Sequence, residues 1–102
     1  MRLVAAPVLA LLAIAACGKP VCETYADMEW KCGNYPADEK AITMTLARAA
    51  CEAGSTSPIP EERDAMAIYA HEGDCAERHA SDCDAYAACK QRQRATTRRA
   101  AR

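Results

Sequence analysis

Residues 20–33 read Pro20-Val21-Cys22-Glu23-Thr24-Tyr25-Ala26-Asp27-Met28-Glu29-Trp30-Lys31-Cys32-Gly33, and their spacing decides the fold. Val21, Tyr25, Met28 and Cys32 fall at i, i+4, i+7 and i+11, which is one face of an α-helix. Pro20 suits the first turn of a helix, and Gly33-Asn34 predicts its end. Trp30 falls off the stripe and reads either as a cover for the hairpin end near Tyr35, the favoured reading, or as an exposed interaction site.

The same grammar repeats downstream. Pro36 opens a second helix, with Asp38 and Glu39 in the first turn, where the helix dipole favours negative charge. Ile42, Leu46, Ala49, Ala50 and Ala53 are expected on its inner face, with Gly54 as its stop. Gly54-Ser55-Thr56-Ser57-Pro58 reads as a loop. Pro60, Glu61 and Glu62 open a third helix with a Met66, Tyr69, Ala70 stripe, and Gly73 is its expected stop. Asp74 is placed to cap one short turn, and Ser81 with Asp84 resembles a capping box. A fourth helix runs from about Asp82, with Ala85, Tyr86 and Cys89 inward and fraying expected beyond Thr96-Thr97. No stretch shows the β-branched alternation of a strand. Cys22-x-x-Tyr25-Ala26 and Cys83-x-x-Tyr86-Ala87 echo each other at the start of two helices, through duplication or through the abundance of alanine.

The chain has 102 residues, no Phe and a hydrophobic fraction in which alanine is by far the commonest residue. Beyond the first sixteen residues, large aliphatic side chains are few, so chain entropy is not offset by a core alone and covalent staples are expected. Charge is segregated. Residues 18–89 hold all fourteen acids against six bases, and residues 90–102 hold six bases and no acid, an acidic body with a basic end.

The N-terminus supplies a location. Arg2 is followed by an uncharged apolar run, Leu3 to Ala16, too short to span a membrane comfortably. It closes on Ile14-Ala15-Ala16-Cys17. This resembles the lipobox of a bacterial lipoprotein: an aliphatic residue, two small residues and the cysteine that receives lipid. Ala13-Ile14-Ala15 also fits an A-x-A cleavage site that would release a soluble protein. The seven cysteines favour the lipobox, because lipid on Cys17 leaves Cys22, Cys32, Cys51, Cys75, Cys83 and Cys89, enough for three bridges in an oxidising compartment such as the periplasm. The resemblance implies a diacylglyceryl group and an amide-linked acyl chain such as palmitate on Cys17, enough chains for stable anchoring. Gly18 rather than aspartate after that cysteine implies the outer membrane. With the lipobox ahead of it, the C-x-x-Y…C…C…C…C-x-x-Y-x-x-C arrangement of Cys22 to Cys89 resembles the short cysteine-rich helical lipoproteins of myxobacteria and their relatives, a likeness that implies location and architecture and no activity.

The expectation is therefore an all-α fold, a small disulfide-stapled bundle of three to four helices after a cleaved signal peptide. Residues 1–16 are the signal, 17–19 the lipid anchor and short tether, 20–89 the helical disulfide domain and 90–102 the basic tail. For helices running up, down, up, down, the expected bridges are Cys22–Cys51, Cys32–Cys89 and Cys75–Cys83, with the last two open to exchange of partners. Cys83 and Cys89 cannot pair on an intact helix, being roughly 9 Å apart in rise.

Catalytic signals are lacking. Ser55 and Ser57 lie in a proline-flanked loop, Ser81 reads as a cap, and none sits in a G-x-S-x-G context. No enzyme activity, cofactor or nucleic acid is expected. His71, Cys75 and His79 at H-x3-C-x3-H have metal-ligand spacing on a continuous helix, but Gly73-Asp74 is expected to break it and Cys75 is needed for a bridge. The primary expectation is a lipid-anchored envelope protein with a non-enzymatic structural or protein-binding role. The alternatives are metal binding through His71 and His79, and a small secreted-type protease inhibitor. The partners expected are the membrane, through the N-terminal lipid, and a protein of the envelope. The basic tail has three readings: a solvated helix end where arginine suits the dipole, a segment folded against the acidic body, or a binder of an anionic surface through Arg92, Arg94, Arg98 and Arg99.

Overall fold

The computed structural model describes residues 20–101. The expected signal peptide, the lipidation site Cys17, the tether and Arg102 lie outside the described residues. The fold is all-α: α1 (Val21–Cys32), α2 (Lys40–Thr56), α3 (Pro60–Arg78) and α4 (Cys83–Ala100), with a 3-10 turn at Ala37–Glu39 leading into α2. The Pro20 carbonyl accepts from the backbone amides of Glu23 and Thr24, so this proline sits at the N-cap of α1. Pro60 occupies the first turn of α3, as its fixed φ favours. α1 packs on α2 and α3, while α4 packs mainly on α3 and touches α1 over a smaller area. Among the described residues α2 and α4 make no contact, so α3 is the central helix, flanked on two sides.

Three disulfides staple this arrangement. Cys22–Cys51 joins the start of α1 to α2 as expected. The other two are the exchanged pair: Cys32–Cys83 closes the end of α1 on the start of α4, and Cys75–Cys89 links α3 to α4. The expected Cys32–Cys89 and Cys75–Cys83 bridges are not made. The reason is the length of α3. It does not stop at Gly73 but continues to Arg78, so Cys75 lies within the helix, opposite Cys89, and Cys83 is free to meet Cys32. The paired Cα atoms are 5.5, 5.3 and 5.8 Å apart, within bridging range.

Gly33 caps α1 as expected, but the other two expected stop glycines are interior to helices. A Cβ on Gly54 would collide with the backbone carbonyl of Met66, and one on Gly73 would press on Cys51 Sγ and Val21 Cγ1, each at 3.1 Å. These glycines mark close helix–helix approach rather than termination. α2 therefore runs to Thr56. The turn after it is held by Ser57, whose Oγ accepts from the Ile59 amide and donates to Glu62, while Arg63 donates to the Ser57 carbonyl.

The start and end of α4 also differ from expectation. Asp82, not Ser81, caps it, accepting from the Ala85 amide at 3.0 Å. Ser81 adopts φ 71°, a left-handed turn between α3 and α4. The helix does not fray at Thr96-Thr97. Both hydroxyls donate to carbonyls one turn back, and the helix continues to Ala100.

The core consists of Tyr25, Ala26, Met28, Cys51, Cys75, Ala76, Tyr86 and Cys89. Met28 is its one large aliphatic residue, and three of the eight are bridged cysteines. Ile42 and Leu46, expected inside, are 60 % and 63 % exposed. The Cys22–Cys51 bridge explains this. Nine residues at 3.6 per turn place Ile42 on the opposite side of α2 from Cys51, and Cys51 is fully buried. The staple turns the alanine-rich side inward and the Ile42–Leu46 side out.

Candidate interaction site

Two polar clasps lock the helices beneath the exposed face. In the first, the Tyr25 hydroxyl donates to Glu72 Oε1 at 2.9 Å, and Arg94 Nε donates to Glu72 Oε2 at 2.7 Å. In the second, the Tyr86 hydroxyl and Lys90 Nζ both donate to Glu29 Oε2 at 2.6 Å. Lys90 also lies 4.6 Å from the centre of the Tyr86 ring. The two C-x-x-Y segments thus do the same work, each opening a helix with a bridged cysteine and presenting a tyrosine to a glutamate. Those glutamates stand three residues before a bridged cysteine, Glu29-x-x-Cys32 and Glu72-x-x-Cys75. Sequence reading missed this second echo. Its signal is the recurrence of E-x-x-C at Glu29–Cys32 and Glu72–Cys75.

Glu72 is completely buried, so its charge must be matched within the fold. Arg94 matches it, and that hydrogen bond and charge raise the Arg94 pKa. Burial, followed by the Glu29 and Glu72 charges, pushes the Tyr25 hydroxyl far above the ordinary phenol range. Burial and the hydrogen bond to Glu29 do the same for Tyr86.

Above these clasps lies a cleft of about 520 Å³, within the size range of ligand and anchor sites. α1 contributes Tyr25 and Glu29, the α1–α2 connection Tyr35, α2 Leu46, Ala47 and Ala50, and α3 Met66 and Tyr69. Tyr69 also lines a second hollow with Ile68, Arg94, Thr97 and Arg98, so the two meet along α3. Leu46 and Ala49 of the cleft wall are exposed. Ala41, Ile42 and Thr45 are also exposed on α2. Between Lys40 and Glu52 the only charged residue is Arg48, which is half-buried. A solvated helix face is ordinarily charged. This one carries Ile42 and Leu46, with Tyr35, 45 % exposed, near its upper end.

The arginines expected to bind an anionic surface do not form one patch. Arg94 is tied to Glu72. Arg98, one turn on, is exposed and lines the hollow beside Tyr69. Arg92 and Arg99 are exposed and, seven residues apart, share a different side of α4. The helix carrying His71 and Cys75 is continuous, contrary to the expected break, and His79 is its C-cap. Cys75 is bridged to Cys89 and buried, which removes it from any metal set with His71 and His79. No group of three or more metal-ligating side chains occurs among the described residues. Trp30 is half-buried, with Lys40 Nζ 5.9 Å from the centre of its ring.

No helix among the described residues is long and apolar enough to cross a membrane. No protein-family model, curated protein or solved structure matches the chain.

Proposed function

We propose that this chain is a lipid-anchored protein of the cell envelope, held through Cys17 at the outer membrane, with a non-enzymatic role as a protein-binding module. The observation that carries the binding role is the uncharged, apolar outer face of α2. Its residues have the periodicity of a buried helix face, yet Ile42 and Leu46 lie open on a scaffold fixed by three bridges. Exposed apolar patches on small domains mark interaction surfaces. A rigid scaffold also lowers the ordering cost of binding. The lipobox and the even count of cysteines left after lipidation support the anchor. Arg92 and Arg99 then supply attraction to anionic headgroups near the tether.

Cross-linking in intact envelopes tests the reading. The wild-type chain is expected in the membrane fraction with a discrete cross-linked adduct. Cys17→Ser should leave the membrane fraction or remain unprocessed, and Leu46→Asp should stay anchored but lose the adduct. Normal anchoring of Cys17→Ser at the mature mass contradicts the lipid anchor. An adduct indifferent to Leu46→Asp removes the α2 face as the binding surface.

A further inference from the structure

The geometry points to the class of partner this surface takes: we propose an amphipathic helix whose apolar stripe lies on Leu46, Ala50, Met66 and Tyr69 and whose acidic edge faces Arg98. The inference rests on the reading of the α2 face as a protein-binding surface and adds what occupies it.

Shape and charge carry it together. α2 and α4 flank α3 without touching, which leaves a trough over Tyr69 between them, with Tyr25 and Glu29 of α1 in its wall. A further helix laid there completes a bundle, the usual way a groove between helices captures an amphipathic segment. The two rims of the trough differ in charge, and the one carboxylate in its wall, Glu29, is already matched by Tyr86 and Lys90. Its α2 wall, Thr43, Leu46, Ala47, Ala49 and Ala50, is uncharged. Its α4 rim carries Arg94, whose side chain is 57 % exposed even with Nε on Glu72, and Arg98, which pairs with no carboxylate among the described residues. An occupant that is apolar on one edge and acidic on the other matches both rims. The α2 stripe of a second copy has no acid along it before Glu52, so self-pairing through that stripe leaves Arg98 unmatched.

The test is amide NMR of the disulfide-bonded chain carrying Cys17→Ser, titrated with two synthetic helical peptides. Both have the same leucine–alanine stripe, and one has glutamates and the other lysines along one edge. The glutamate peptide should shift the amides of Leu46, Ala50 and Tyr69 and bind about tenfold more tightly than the lysine peptide. Arg98→Glu, an exposed substitution, should reverse that order, and Leu46→Asp should abolish both. Equal binding of the two peptides in the trough overturns the acidic edge while leaving the docking face intact. Shifts confined to the outer side of α4 overturn the proposal as mere charge attraction. If neither peptide binds and the protein sediments as a dimer that Leu46→Asp dissociates, the occupant is a second copy and the proposal fails. If neither binds and the protein is monomeric, the proposal and the reading beneath it both fail.

Discussion

Glu72 concentrates the energetics of single residues. A buried carboxylate is costly unless paired and hydrogen-bonded, and removing one partner of such a pair is worse than removing both. Here the partners are Arg94 and Tyr25. Arg94→Ala should destabilise the fold by about 2 kcal/mol, below the usual range for a fully buried pair because water reaches its half-exposed side chain. Adding Glu72→Gln should recover part of that loss, because no charge is then left buried. Denaturant unfolding of the two single variants and the double variant checks this, and additive losses would show that the ion pair is not coupled. The tyrosines give a pH dependence. Their folded pKa values are raised, whereas an unfolded tyrosine ionises near about 10. The native state therefore holds protons that the unfolded chain releases. The stabilisation is fully present below that pH and is lost as pH rises above it, by up to about 1.4 kcal/mol per pH unit for each tyrosine. In alkaline titration, the tyrosinate absorbance of Tyr25 and Tyr86 should appear only with the loss of helical circular dichroism. Tyr25→Phe and Tyr86→Phe should each remove part of that late step. Ionisation of all four tyrosines with helicity intact would contradict the clasps.

Helices were legible in the chain, but their ends and rotations were not. The 3.6-residue stripe of Val21, Tyr25 and Met28 identified α1 and its buried face correctly. Proline placed the start of α3, because its fixed φ acts locally whatever packs around it. Glycine is ambiguous in a way proline is not: the same missing Cβ permits a helix stop and a close helix contact. Gly54 and Gly73 have the sequence context of stops but are contacts, which places Cys75 within α3 and sets two of the three bridges. Likewise, periodicity showed that α2 has an apolar face through Ile42 and Leu46. It carried no information that a bridge at Cys51 would turn the other side inward. The candidate surface was therefore visible as a stripe, but its exposure depended on a tertiary constraint. Gly54→Ala tests the contact. In an ordinary helix interior the change stabilises by up to about 1 kcal/mol. Here it should destabilise by about 1–3 kcal/mol, as overpacking does, because the Met66 carbonyl stands in the way. A thermal midpoint equal to or above that of the unmodified chain would show that α2 and α3 are not in close approach at this point.

The whole molecule solves the problem of a small core by making cystine part of it. Cys51, Cys75 and Cys89 are buried alongside two tyrosines and one methionine, and the bridges close spans of 29, 51 and 14 residues. On chain-entropy grounds each bridge contributes about 3–4 kcal/mol by restricting the unfolded state, comparable to much of the stability of a domain this size. With the helices fixed covalently, Ile42 and Leu46 are not required inside and stay exposed. This account depends on the pairing pattern, and connectivity tests it most directly. The non-reduced protein should be cut with trypsin and then before Asp84, since trypsin alone leaves Cys83 and Cys89 in one peptide, and the linked fragments weighed. The expected linkages are Cys22–Cys51, Cys32–Cys83 and Cys75–Cys89 with no free thiol among the six. Recovery of Cys32 linked to Cys89, or of Cys75 as a free thiol, would contradict it.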